Sequence, residues 1–148
     1  MIYPPDVFSI EERVAMATRC RDCDPVPKVA DAGMVFEQPN GSSVQIMHNG
    51  LRVLAGGYHG QWMTDLIRLC RGHHEAQEER LFHEVVKRLP ANASMIELGG
   101  FWSYYSLWFL KDQPGRRSLV IEPDPLNLEV GRANAALNKL APVFKAGF

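Results

Sequence analysis

The sequence predicts an α/β protein whose second half folds as a parallel sheet, and three observations carry that prediction. From Ser94 onward, short apolar stretches alternate with helix-length segments in the order strand, helix, strand, helix, strand. The first of these strands, Met95-Ile96-Glu97-Leu98, runs directly into Gly99-Gly100. The second, Ser118-Leu119-Val120-Ile121-Glu122, ends in a carboxylate 23 residues after Gly99. Parallel neighbours need a long crossover between them, and the intervening helical segments supply it.

The elements ahead of this unit follow from local signals. Ser9-Ile10-Glu11-Glu12 has capping-box spacing, which predicts a helix to about Arg21, stopped by Asp22, Asp24, Pro25 and Pro27. Residues 33–54 predict a small antiparallel meander. Its strands are Met34-Val35-Phe36, Val44-Gln45-Ile46-Met47 and Leu51-Arg52-Val53-Leu54, separated by Pro39-Asn40-Gly41-Ser42 and by the hairpin signal Asn49-Gly50. Beyond Gly56-Gly57, Trp62, Leu66, Ile67 and Cys70 stand at helical spacing. Another helix follows Gly72, with Leu81, Phe82, Val85, Val86 and Leu89 as its apolar stripe and Pro90 as its stop. In the second half, a helix is expected from about Trp102 to Lys111 and another from Pro125 to about Leu140. Pro125 suits a first helical turn, where its missing N–H is no loss. Ala141 to Ala146 reads as the third strand. The chain therefore divides into an extension over 1–71 and the sheet unit over 72–148.

Composition narrows the functional classes. A chain of 148 residues suffices for one domain with a real core. The formal net charge of -1 gives no electrostatic argument for nucleic acid or for an anionic membrane surface. No apolar run approaches the ~20 residues needed to span a bilayer. Residues 1–6 lack the basic stretch and apolar run of a secretory signal. Three cysteines, an odd number, suggest reduced thiols and a cytoplasmic protein.

On a parallel unit of this kind a nucleotide-like ligand sits at the carboxyl ends of the strands. The first loop must admit the ligand close to backbone, which favours glycine, and Gly99-Gly100 meets that need. The second strand should end in a carboxylate that accepts from ribose hydroxyls, and Glu122 meets that one. Glu97 adds a sign argument. A carboxylate ending the first strand repels a pyrophosphate but attracts a cation. S-adenosylmethionine carries a sulfonium and an ammonium, so the charge favours it over a dinucleotide.

The stretch from Met95 to Ser106, Met95-Ile96-Glu97-Leu98-Gly99-Gly100-Phe101-Trp102-Ser103-Tyr104-Tyr105-Ser106, resembles the first motif of FkbM-type methyltransferases. Val120-Ile121-Glu122-Pro123-Asp124-Pro125, followed by Asn127, Asn134 and Asn138, is similar to that family's second-strand signature. The resemblance covers about residues 72–148. It implies a partial Rossmann-like domain and methyl transfer from S-adenosylmethionine to a hydroxyl or similar nucleophile on a small-molecule or glycan-like acceptor. It also implies that Glu97, Gly99 and Gly100 line the methionine part of the cofactor; Phe101, beside them, is expected to pack against the ligand. Glu122 with Pro123 would hold the ribose, and Glu75 falls where the family often has an acidic residue ahead of the first motif. Phe101 and Ser103 depart from the family's usual Asn and Gly, and Ser103 is expected to cap the helix. The family's sheet continues beyond the first strand on its other side. The chain accordingly reads as truncated, with a bare strand edge that invites pairing with a second copy.

Two rival signals are weighed against this reading. Cys20-x-x-Cys23 and Cys70-x-x-His73 have paired zinc-ligand spacing and would suit a zinc-stabilised domain. The 46 residues between the pairs, and the lack of a glycine after either, favour three unrelated thiols. His73, His74, Glu75, Glu78, Glu79 and His83 also suggest a metal, but a charge-rich helix ordinarily faces solvent. The aromatic run Phe101, Trp102, Tyr104, Tyr105, Trp108 and Phe109 reads as core rather than as a base-stacking platform. A non-enzymatic assembly module, built on the bare edge, is the remaining alternative.

Overall fold

The computed structural model describes residues 8–147, so the reading of residues 1–6 falls outside the described residues. Helix α1 (Ile10–Arg19) starts at the expected capping box. Ser9 Oγ accepts from the Glu12 N–H at 3.2 Å, and the Glu12 carboxylate accepts from the Ser9 N–H at 2.8 Å. Strands β1 (Val35–Glu37), β2 (Ser43–Ile46) and β3 (Arg52–Leu54) form the antiparallel meander, with Gln45 of the central strand opposite Val35 and Val53. Helices α2 (Gln61–Leu69) and α3 (Ala76–Val86) follow. Then come β4 (Ser94–Leu98), α4 (Tyr104–Leu110), β5 (Arg117–Glu122), α5 (Pro125–Asn138) and β6 (Val143–Ala146). The last three strands pair in parallel in the order β4-β5-β6. The mixed α/β architecture, with one small antiparallel and one parallel three-stranded sheet, agrees with the expected fold class.

One core serves both halves of the chain. Met47, Leu51 and Val53 of the meander pack with Leu66 and Ile67 of α2 and with Trp102, Tyr104, Leu107 and Trp108 around α4. The expected aromatic core is therefore present, although Phe101 and Tyr105 are only half-buried. Helix α5 closes the free edge of β3 with side chains. Asn134 Oδ1 accepts from the Leu54 N–H at 2.8 Å, and Asn138 accepts from the Arg52 N–H and donates to the Arg52 carbonyl. These amides substitute for a neighbouring strand, which is how an edge is blunted without another ladder. The central strand also holds a buried polar group. The Gln45 amide donates to the carbonyls of Gly33 and Thr64, so it is satisfied despite its burial.

Three local expectations need correction. The stripe assigned to α3 is borne out only in Phe82 and Val86: Leu81 and Val85 are 69% and 53% exposed, Leu89 is exposed as well, and Glu79 faces inward in their place. The reason is that Glu79 finds buried histidine partners, which let a carboxylate take the core side. Helix α4 begins at Tyr104 rather than Trp102, because Phe101 and Ser103 both have positive φ. Ser103 does not cap with its side chain. Its left-handed backbone turns the hydroxyl into a buried place without a partner, and Glu97 supplies the cap instead. Strand β4 is left at the sheet edge with Ile96 and Leu98 63% and 75% exposed, as expected from the sequence. Among the described residues no helix is long and apolar enough to cross a membrane.

Arg116 ties the ends of two helices to the parallel sheet. Its buried guanidinium donates to the carbonyls of Val86, Leu89, Pro90 and Phe109 and lies over the Phe109 ring. Two of those carbonyls, Val86 and Phe109, are helix-end acceptors of α3 and α4, which a cation satisfies well. Arg116→Ala is expected to lower unfolding free energy by about 2 kcal/mol, since it strands several acceptors at once. Arg116→Lys should recover less than half of that, because an ammonium cannot span the same fork. Urea denaturation followed by tryptophan fluorescence reads both.

Candidate functional site

The carboxyl ends of β4 and β5 bring together Glu97, Gly99, Gly100, Phe101, Glu122 and Pro123. Gly99 has φ +67, and a Cβ there would meet open space, so the turn leaves room above the sheet. Gly100 is the opposite case: a Cβ would run into Val120 Cγ1, so only glycine lets the loop lie on β5. Both glycine N–H groups donate to the Ile121 carbonyl, which pins the loop to the second strand.

The two carboxylates at these strand ends differ in environment. Glu97 accepts from the Ser106 N–H at 3.1 Å, in the first turn of α4. Burial pushes its carboxyl up to about 7, against the lowering effect of the Ser106 hydrogen bonds. Glu122 is almost fully enclosed. One of its oxygens accepts from the Phe101 N–H at 2.9 Å, and the other accepts from the Asp124 N–H at 2.9 Å. Asp124 in turn caps α5 by accepting from Leu126 N–H. Glu122 therefore joins the loop after β4 to the loop after β5.

Glu75 lies apart from the strand ends. It is the residue preceding α3, with its carboxylate 3.2 Å from His74 Nε2 and 3.5 Å from the Tyr105 hydroxyl. It lines a cleft of about 390 Å³ with Tyr58, His59 and Trp62. Phe101 links the two places, because its ring meets both Tyr58 and His59.

A second cluster, under α3, corrects the solvent-facing reading for Glu79 and for His73 and His74 ahead of the helix. Glu79 is 0% exposed and His73 is 2% exposed, and His74 is buried with them. Glu79 Oε2 sits 2.5 Å from His73 Nδ1, and Oε1 accepts from the N–H groups of His74 and Glu75. His74 Nδ1 lies 2.7 Å from Oε1. Burial opposes a charge on His74, but its contacts with the Glu75 and Glu79 carboxylates outweigh it and lift the group to about 9. Burial would likewise raise Glu79, yet the two histidines hold it well below the ordinary carboxylate range. His48 stacks on His73 at 4.1 Å, and its own pKa falls to about 4 through burial and the neighbouring His73. Only Glu78 of the group keeps the expected exposure.

His48 was legible in the sequence only as part of a hairpin turn, and Glu79 only as one charge among many. Nothing local marks either as buried. The three cysteines are unbonded thiols. Cys23 is buried, and burial with the nearby Glu79 pushes its thiol up to about 12. Cys23 Sγ, a ring nitrogen of His73 and a Glu79 oxygen lie within 4.8 Å of one another. Among the described residues this is the group of metal-ligating atoms that meets that spacing. Compared with known proteins, the chain matches no family model and no curated protein sequence.

Proposed function

We propose that the parallel unit is the cofactor-binding part of an S-adenosylmethionine-dependent methyltransferase. The observation that carries this reading is a pair of carboxylates, Glu97 and Glu122, ending adjacent parallel strands on either side of an open glycine turn. The methyl acceptor would be a hydroxyl or similar nucleophile on a small or glycan-like molecule, as the resemblance of the two motifs implies. S-adenosylmethionine supplies an electrophilic methyl group on a sulfonium sulfur. The chain's own residues would receive and orient it: Glu97 offers a carboxylate to the cationic end, Gly99 leaves room, and Glu122 offers acceptors to the ribose in exchange for the Phe101 N–H. Methyl transfer by direct displacement depends chiefly on such alignment of donor and acceptor.

Glu97 makes the proposal testable by pH. Its pKa is raised to about 7 by burial, so it is largely protonated below that pH and ionised above it. A cationic ligand pairs with the ionised form. Affinity for S-adenosylmethionine should therefore rise up to about tenfold per pH unit below 7 and level off above it. Glu97→Gln should flatten the profile. Isothermal titration calorimetry between pH 5.5 and 8.5 reads this, and no binding heat at any pH would sink the proposal. The bare β4 edge supports a second reading, an assembly module that pairs strand to strand. A defined dimer by light scattering, with no heat from S-adenosylmethionine, would favour that reading.

A further inference from the structure

The pair Cys20 and Cys23 is separated from the pair Cys70 and His73 by 46 residues, yet the fold brings all four to one cleft of about 340 Å³. Cys20 is the residue that ends α1, and Cys70 is the residue that ends α2. The link from Cys70 to His73 is a tight turn, with Arg71 at φ +53 and Gly72 at φ +85, and the His73 N–H donates to the Cys70 carbonyl at 3.4 Å. Gly72 thus sits inside the second ligand pair rather than after it. The Nδ1 of His73 is fixed by Glu79 at 2.5 Å, while its Nε2 is buried without a hydrogen-bond partner. An imidazole anchored by a carboxylate on one nitrogen and bare on the other is the form in which histidine ligates metals.

We propose that Cys20, Cys23, Cys70 and His73 bind a zinc-class divalent cation that clamps the end of α1 and the loop after it to the turn that follows α2. Glu79 orients His73 and is not itself a ligand, since both of its oxygens are engaged. Cys23 and His73 form the inner part of the site. Cys20 and Cys70 line the same cleft but stand outside the 4.8 Å spacing that Cys23, His73 and Glu79 meet, so their thiols must turn inward for the ion to bind. Three thiols each lose a proton to solvent as three metal–sulfur bonds form, and His73 Nε2 gives the fourth bond through its lone pair. The resulting complex carries one net negative charge. Arg21, Lys28 and Arg71 line the cleft and offset it, beside Asp24. Thiolate ligands select zinc over magnesium or calcium, and four protein ligands leave no open position, so the ion is structural rather than catalytic. The proposal does not depend on the S-adenosylmethionine reading.

Cobalt(II) titration of the full chain, freed of metal with a chelator under reducing conditions, tests it. The expected result is saturation at one ion per chain, with intense visible bands of tetrahedral cobalt and a near-ultraviolet thiolate-to-cobalt band. Cys20→Ser and Cys70→Ser should each lower the thiolate band by about a third, the share of one thiolate in three. Glu79→Gln should weaken binding about 10–100-fold, as loss of a carboxylate behind a ligating histidine does. Wild-type chain that gives only the weak spectrum of octahedral cobalt overturns the proposal. So does a thiolate band that is unchanged in both Cys20→Ser and Cys70→Ser. The wild-type arm decides the matter even where a variant fails to fold, which circular dichroism reports.

Discussion

Glu79→Ala is expected to lower the unfolding free energy of the metal-free chain by about 3–5 kcal/mol. The size of this effect follows from what the substitution leaves behind. His74 is buried and held protonated by Glu75 and Glu79, so removing Glu79 leaves a buried charge with Glu75 as its one remaining carboxylate partner. The N–H groups of His74 and Glu75 lose their shared acceptor at the same time. Glu79→Gln keeps the shape and one acceptor oxygen but discards the charge, and should fall between wild type and alanine. Urea unfolding in the presence of chelator gives both numbers. A loss below about 1 kcal/mol for Glu79→Ala would show that His74 sheds its proton and relaxes instead.

Gly72→Ala should be the other severe change, at about 3 kcal/mol. Gly72 has φ +85, which a side chain disfavours. The stronger objection is space: a Cβ would meet the backbone of Met47 and His48, including the His48 nitrogen that donates to the Gly72 carbonyl at 3.0 Å. Backbone atoms of a buried turn cannot step aside as a flexible side chain does. Gly99→Ala is the control. Its φ is also positive, but nothing lies within 4 Å, so only the conformational penalty of about 1 kcal/mol remains. Thermal melts of the two variants separate close approach from backbone strain. Equal shifts would remove the steric argument.

Local chemistry explains what was legible in the sequence. The capping box at Ser9, the strand ending in Gly99-Gly100 and Pro125 at a helix start are each decided within a few residues, and each appears where expected. The face of α3 was not legible. Its pattern offers Leu81 and Val85 for burial, and Glu79 wins the inner position only because His73 and His74 fold back onto it and His48 arrives from the meander. A carboxylate becomes a core residue through partners that no window of the sequence contains. Ser103 failed for a different reason. A serine ahead of a helix ordinarily caps it, but here a left-handed backbone aims the hydroxyl elsewhere, and Glu97 from β4 takes the Ser106 amide. The convergence of the two cysteine pairs was hidden in the same way: 46 residues separate them in sequence, while the ends of α1 and α2 share a cleft.

The asparagines of α5 set a timetable for synthesis. Leu54 finds its partner in Asn134 across 80 residues, and Arg52 finds Asn138 across 86. A ribosome adding about 5–20 residues per second needs roughly 4–16 s to deliver that length. Through that interval the nascent β3 edge has its amides exposed, and for more than half of it the shared core also lacks Trp102, Tyr104 and Trp108. The meander must therefore remain soluble while incomplete, and its native state is reached only when the last helix emerges.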